Sequence, residues 1–243
     1  MLMDMQSIVL VFSALLTSIL SGVIGMGGGI TLLAVMELFV PASALVPLHG
    51  SVQLMSNGTR VFLHFKHVKW SIGVPMLVGI VLGSIVAAQF TTTFQSTSEF
   101  KLVLAGFILA MTWKPKFKKG FKVVAKFYLV GFTSGILSML LGATGPFLAP
   151  FFLNENLDRF QVISTKAFAQ LTGHLSKVVA FFFLGFSFTQ YGLIVLLMAG
   201  AVILGTYIGK RILQRVNEKT FIAVYKVVIT TLCVRMIWMH FVN

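Results

Sequence analysis

Apolar runs of bilayer-crossing length follow one another from end to end of this 243-residue chain, and that succession leaves few folds open. A helix needs roughly 17–25 mostly apolar residues to cross the hydrocarbon. Runs of that order lie at 7–24, 71–90, 190–209 and 220–241, with shorter ones between them. Hydrophobic residues make up 57% of the chain and charged residues 10%, where soluble domains carry about a quarter charged. The implied fold class is all-α: a polytopic integral membrane protein of about eight helical segments. No connecting stretch exceeds a short loop, so no soluble domain fits between segments. The first residues, Met1 to Gln6, lack the basic start of a secretory signal, and no small-residue cleavage site follows. The first run is therefore read as a retained helix.

A net charge of +13 is large for so apolar a chain. The positive-inside rule accounts for most of it, since the basic residues cluster in loops. Nucleic-acid binding would need a basic folded surface outside the membrane, and none is available. Interior cations could also attract an anionic substrate. The single cysteine, Cys233, excludes an internal disulfide, a cysteine-held cluster and a CxxC redox pair.

One arrangement occurs twice. Gly25-Met26-Gly27-Gly28-Gly29 interrupts the first apolar run, and a helix-like segment follows with His49, Gln53, Asn57 and Arg60. Gly142-Ala143-Thr144-Gly145-Pro146 does the same later, followed by Lys166, Gln170, His174 and Lys177. A shift of 117 residues lays one set on the other. Each is spaced i, i+4, i+8, i+11, one face of an α-helix. The chain thus divides into a first transmembrane repeat (1–113), a basic cytoplasmic linker (114–126) and a second repeat (127–243). The loop near residue 67 is basic and the one near 94 is not, whereas near 187 there is no charge and near 214 there is much. Opposite bias in equivalent loops is what an inverted repeat predicts. The glycine-broken segments then fold back part-way. Gly200 and Gly205 answer Gly79 and Gly83 as close-packing positions, and Thr91 to Ser98 forms a polar turn.

A glycine break in mid-membrane frees backbone amides that a neighbour, water or ligand must satisfy. Where it opens a new half-helix, those amides attract anions. Pro146 suits the first residue of such a half-helix because it has no N–H to lose, and Thr144 adds a hydroxyl. Close packing of small residues is the alternative, and the pairing of two breaks favours a substrate site. Gln53 and Gln170 can each donate two hydrogen bonds to an oxyanion, or else bond between helices. Arg60 and Lys177 are costly intramembrane cations that face a cavity or snorkel to the surface. His174 could carry a proton or simply pack, as could His49. Glu37 is a candidate proton carrier, a partner for a basic stripe residue, or an interfacial acid beside Pro41. Asn154 or Asn156 could cap the helix that follows. No nucleotide loop, His-Glu-x-x-His motif or catalytic triad occurs, so no enzyme, metal or cofactor is expected.

The Gly-Met-Gly-Gly-Gly motif after a first helix, Gly-Ala-Thr-Gly-Pro after a basic central loop and the Gln-bearing helices behind each resemble the TauE/SafE family of sulfite exporters. The resemblance covers essentially the whole chain and rests on Gly25, Gly27, Gly28, Gly29, Gly142, Gly145 and Pro146. It implies a bacterial cytoplasmic-membrane transporter of about eight helical segments for small sulfur-containing anions such as sulfite, sulfoacetate or thiosulfate. Two departures stand out: no proline closely follows Gly29, and Thr144 replaces a frequent glycine.

The expected function is a secondary transporter for such an anion, bound at Gly27, Gly28, Gly29, Gln53, Asn57, Arg60, Gly142, Thr144, Gly145, Pro146, Gln170, His174 and Lys177. An anion channel, or a transporter of another small carboxylate or oxyanion, is the alternative. The expected partners are the small anion and the lipid bilayer. The sequence leaves open a coupling ion, H+ or Na+, and assembly into a homo-oligomer.

Overall fold

A computed structural model describes residues 5–24, 27–113, 126–153, 157–212 and 218–242. Among them the only regular structure is helical: ten α-helices and two short 3-10 turns. In chain order they are α1 (Met5–Ile24), α2 (Gly28–Met36), α3 (Ala42–His64), α4 (Trp70–Gln95), α5 (Phe100–Trp113), α6 (Lys126–Leu141), α7 (Gly145–Leu153), α8 (Arg159–Phe183), α9 (Gly192–Ile212) and α10 (Glu218–Val242). The short α2 and α7 have nine residues each, about 14 Å of helix, too little to cross a bilayer. The other eight match the expected number of helical segments. Gly25 and Met26, the stretch 114–125, Asn154 to Asn156 and residues 213–217 lie outside the described residues, and with them most of the central basic linker.

Among the described residues three stretches are long and apolar enough to cross a membrane by length and composition: Met5–Gly22, Trp70–Gln95 and Phe188–Ile212. α3 and α8 are 23 and 25 residues long. Their polar stripes lower their mean hydropathy, and they escape the penalty by packing against each other at the centre. The helix pairs come in matched sets. α9 flanks α3 as α4 flanks α8, α1 lies along α9 as α6 lies along α4, and α5 pairs with α10. The outer surface is apolar, with Phe12, Leu82, Ile85, Leu129, Leu196 and Leu204 exposed, while polar residues such as Ser18, Ser56 and Asn57 are buried. This inside-out distribution is what lipid demands.

Small residues set the helix spacings. A Cβ on Gly79 or Gly83 would run into the backbone of Tyr128 or Phe132 on α6, and Gly22 faces Gly209 between α1 and α9. Gly205 does answer Gly83, and it is the expected counterpart of Gly79 that needs correcting. Gly205 meets Leu15 of α1 as Gly83 meets Phe132 of α6, whereas Gly200 has open space around it. Gly205 lies 122 positions after Gly83, not the 117 that relates Leu15 to Phe132, because the second half carries extra residues between α8 and α9.

Two local expectations also change. The polar stretch from Thr91 turns later than expected: α4 continues to Gln95, and the turn begins at Ser96. Thr91 Oγ1 donates to the Ala87 carbonyl at 2.7 Å, and Gln95 Nε2 donates to Met139 O at 3.2 Å, occupying a carbonyl at the end of α6 that would otherwise lack a partner. The cap of α8 is Asp158. Its carboxylate accepts from Gln161 N at 2.9 Å, and Gln161 Oε1 accepts from Asp158 N at 3.2 Å. Gln161 stands three residues on, as a capping box requires.

Candidate functional site

A positive-φ glycine precedes each half-helix, directly before α2 and three residues before α7. Gly27 has φ 92° and Gly142 has φ 90°, a region that costs side-chain-bearing residues dearly. Gly27 O accepts the first bond of α2 from Thr31 N at 3.0 Å, and Thr144 O accepts that of α7 from Leu148 N at 3.0 Å. The amides of each first turn have no partner within the helix and carry the positive end of its dipole. Gly28 presses against the Thr17 carbonyl and the Ser21 hydroxyl of α1, so the start of α2 is held at a fixed depth.

α3 and α8 bring their stripes to these two starts. A Cβ on Gly29 would stand 3.3 Å from Gln53 Oε1, and one on Gly145 would stand 3.1 Å from Gln170 Nε2. Each glutamine amide therefore lies over the opening turn of a half-helix, and glycine leaves the room for it. The enclosed space is lined by Gly27, Gly29, His49, Gln53 and Arg60 from the first half and by Ala143, Gly145, Gln170 and His174 from the second. Ser21 of α1 adds a hydroxyl. The cavity volume is about 10 Å³, room for roughly one water molecule.

Among the described residues the lining carries one cation, Arg60, and no acid, and Lys177 and Lys166 lie buried on the facing stripe. Arg60 is 4% exposed. It does not snorkel: Nη1 donates to Asn57 Oδ1 at 3.0 Å and Nη2 to Ser56 Oγ at 2.7 Å, while its Nε has no partner. Lys177 is fully buried, its Nζ donating to Gly142 O at 2.6 Å with His174 Nδ1 at 3.4 Å. Neither cation meets a carboxylate among the described residues. Glu37 is paired elsewhere, 2.7 Å from Lys101 on α5, so it is no partner for a stripe residue. Lys166 is buried on the same stripe. His49 Nε2 lies 2.8 Å from Gly29 O, its Nδ1 has no partner, and its ring stands edge-on to His174 with centroids 5.8 Å apart.

Seven of the residues expected at the site line one cavity: Gly27, Gly29, Gln53, Arg60, Gly145, Gln170 and His174. Five of the other six lie outside that lining. Asn57 joins Arg60 to the Gln53 carbonyl, which accepts from Asn57 Nδ2 at 3.0 Å. Lys177 holds Gly142, Gly28 packs on α1, and Thr144 is buried at the start of α7. Pro146 is the second residue of α7, and its side chain lies outside the described residues. His49, Ser21 and Ser56 are added by the structure. His49 begins the first stripe, which was signal enough; Ser56 carried none.

Chemically, the arrangement offers directed N–H donors and fixed positive charge in a space screened from water. That suits an oxyanion, and His49 and His174 are the imidazoles in the lining. Among the described residues no group of three or more metal-binding side chains comes together. No curated protein and no solved structure matches the chain. The family model described as sulfite exporter TauE/SafE matches residues 10–236, nearly all of the 243, and the chain therefore belongs to that family of membrane transporters.

Proposed function

We propose that the chain is a secondary transporter of a small sulfur oxyanion, of the sulfite, thiosulfate or sulfoacetate class, in a bacterial cytoplasmic membrane. The observation that carries this reading is the buried Arg60, which lines the cavity beside two half-helix starts with no carboxylate for its charge among the described residues. An uncompensated cation in a bilayer interior costs roughly 2.5–3.5 kcal/mol on insertion scales. An anion in the cavity offsets that cost by ion pairing strengthened by the low local dielectric.

In this reading the first amides of α2 and α7 bind oxyanion oxygens, Gln53 and Gln170 orient them, and Arg60 supplies charge. Lys177 and His174 stand close enough to respond to it. The cavity of about 10 Å³ favours sulfite as the smallest of these anions, and any of them needs the site to expand around it. Loop charge supports a cytoplasmic central linker and inverted halves, the arrangement that lets one midplane site face either side in turn.

Reconstitution into liposomes tests this directly. Labelled sulfite flux saturates with concentration and is lost in Arg60→Met. Flux that rises without saturation marks a channel, and flux of carboxylates in preference to sulfite marks another substrate class.

A further inference from the structure

Arg60 is connected to α1 and α9 through side chains that do not themselves line the cavity. Its Nη2 donates to Ser56 Oγ at 2.7 Å, Ser56 Oγ lies 3.2 Å from Ser18 Oγ on α1, and Ser18 Oγ donates to the Val202 carbonyl of α9 at 2.7 Å. Thr206 Oγ1 sits 2.8 Å from Ser18 Oγ and donates to the same carbonyl at 2.8 Å. All three hydroxyl residues are buried. A guanidinium only donates and a carbonyl only accepts, which fixes the two ends of the chain, and the arrangement in which the bonds between them run one way has the Ser18 proton on the Val202 carbonyl. In that arrangement Ser56 accepts from Arg60 and donates to Ser18, and Ser18 donates to Val202. Bonds aligned head to tail in this way polarise one another.

The other half of the molecule lacks the device. The positions matching Ser18 and Ser56 at the 117-residue shift are Gly135 and Gly173. Ser84 stands where Thr206 stands, by the 122-residue register of α4 and α9, and its buried hydroxyl has no partner. The cation of that half, Lys177, is held by the Gly142 carbonyl instead. One cation is thus tied to the body formed by α1 and α9, and the other to a helix break.

We propose that Ser56 and Ser18 are positioning residues that hold the Arg60 guanidinium at the cavity, making Arg60 the fixed charge of an otherwise two-sided site. This rests on the reading of that cavity as an anion site. A guanidinium freed from Ser56 keeps one tether, Asn57, and can swing out of register with the half-helix starts.

The test is sulfite binding to the purified full-length protein, read as the half-saturating concentration. Ser56→Ala raises it about tenfold, the size of one lost hydrogen bond to a charged group. Ser56→Thr, which keeps the hydroxyl, stays within about twofold of the unaltered protein. Ser18→Ala acts in the same direction, and the Ser18→Ala/Ser56→Ala pair is no weaker than Ser56→Ala alone, because the links act in series. Ser84→Ala leaves binding unchanged. If Arg60→Met loses sulfite while Ser56→Ala and Ser18→Ala bind as before, the positioning role is wrong and the anion site stands. Equal weakening by Ser56→Ala and Ser56→Thr, or additive losses in the pair, reduce Ser56 to packing and overturn the role. Arg60→Met binding sulfite normally removes the anion site itself.

Discussion

The Lys177 ammonium stands 2.6 Å from the carbonyl oxygen of Gly142, so a cation of α8 closes the turn from which the second half-helix starts. Gly142 has positive φ and follows the last residue of α6, where carbonyls run out of helical partners. The bond therefore ties the geometry of the break to the polar stripe. Lys177→Met removes it while keeping much of the stem. Because a buried carbonyl loses its partner, we expect a loss of about 1–3 kcal/mol in stability, together with weaker sulfite binding. Thermal unfolding of the purified variant with and without sulfite separates the two effects.

Gly50 on α3 is the floor on which that lysine stem lies. A Cβ there would stand 2.8 Å from Lys177 Cδ, contact that a flexible stem can relieve only by moving. Gly50→Ala is expected to weaken sulfite binding by about three- to tenfold, for a cost near 1 kcal/mol. A binding curve like that of the unaltered protein would mean that Lys177 does not need its present path.

Two other glycines should differ sharply under the same substitution. Gly83→Ala drives a methyl into the Phe132 backbone of α6, whereas Gly200 has nothing near it. Gly83→Ala should cost about 2 kcal/mol or more, since backbone cannot step aside. Gly200→Ala should be neutral or stabilising by up to about 1 kcal/mol, the helix propensity difference. Comparing their yields and melting temperatures in detergent checks both.

Glu37 and Lys101 form an ion pair whose lysine is 46% exposed. Pairs of that kind contribute about 0–1 kcal/mol. Glu37→Gln should therefore leave sulfite flux and its pH profile unchanged and lower stability by less than about 1 kcal/mol. A flux that loses its pH dependence in Glu37→Gln would return this acid to the role of proton carrier.

Features local to one helix were legible in the sequence. The stripes at His49, Gln53, Asn57 and Arg60 and at Lys166, Gln170, His174 and Lys177 follow from helical spacing, and all but the partly exposed Gln170 are buried. The half-helix starts at Gly28 and Gly145 were marked by glycine runs in apolar surroundings. What depends on the register between helices was hidden. Gly200 and Gly205 look alike in sequence, and only the alignment of α9 on α1 separates them. Thr91 and Gln95 read as a turn because polar residues are rare inside a membrane helix, yet the carbonyls of Ala87 and Met139 satisfy them. Ser56 and Ser18, 38 residues apart, carried no shared pattern to connect them to Arg60.

The central claim is that one oxyanion is held between the two half-helix starts, and Gln170 provides the most direct probe because its amide lies over Gly145 and lines the cavity. The measurement is thermal stabilisation of the purified protein by sulfite, thiosulfate, sulfoacetate, sulfate and chloride, compared with Gln170→Ala. The account predicts saturable stabilisation by a sulfur oxyanion, reduced about tenfold in apparent affinity by Gln170→Ala, equivalent to about 1.4 kcal/mol. Equal stabilisation by every anion, or a sulfite effect untouched by Gln170→Ala, would contradict it.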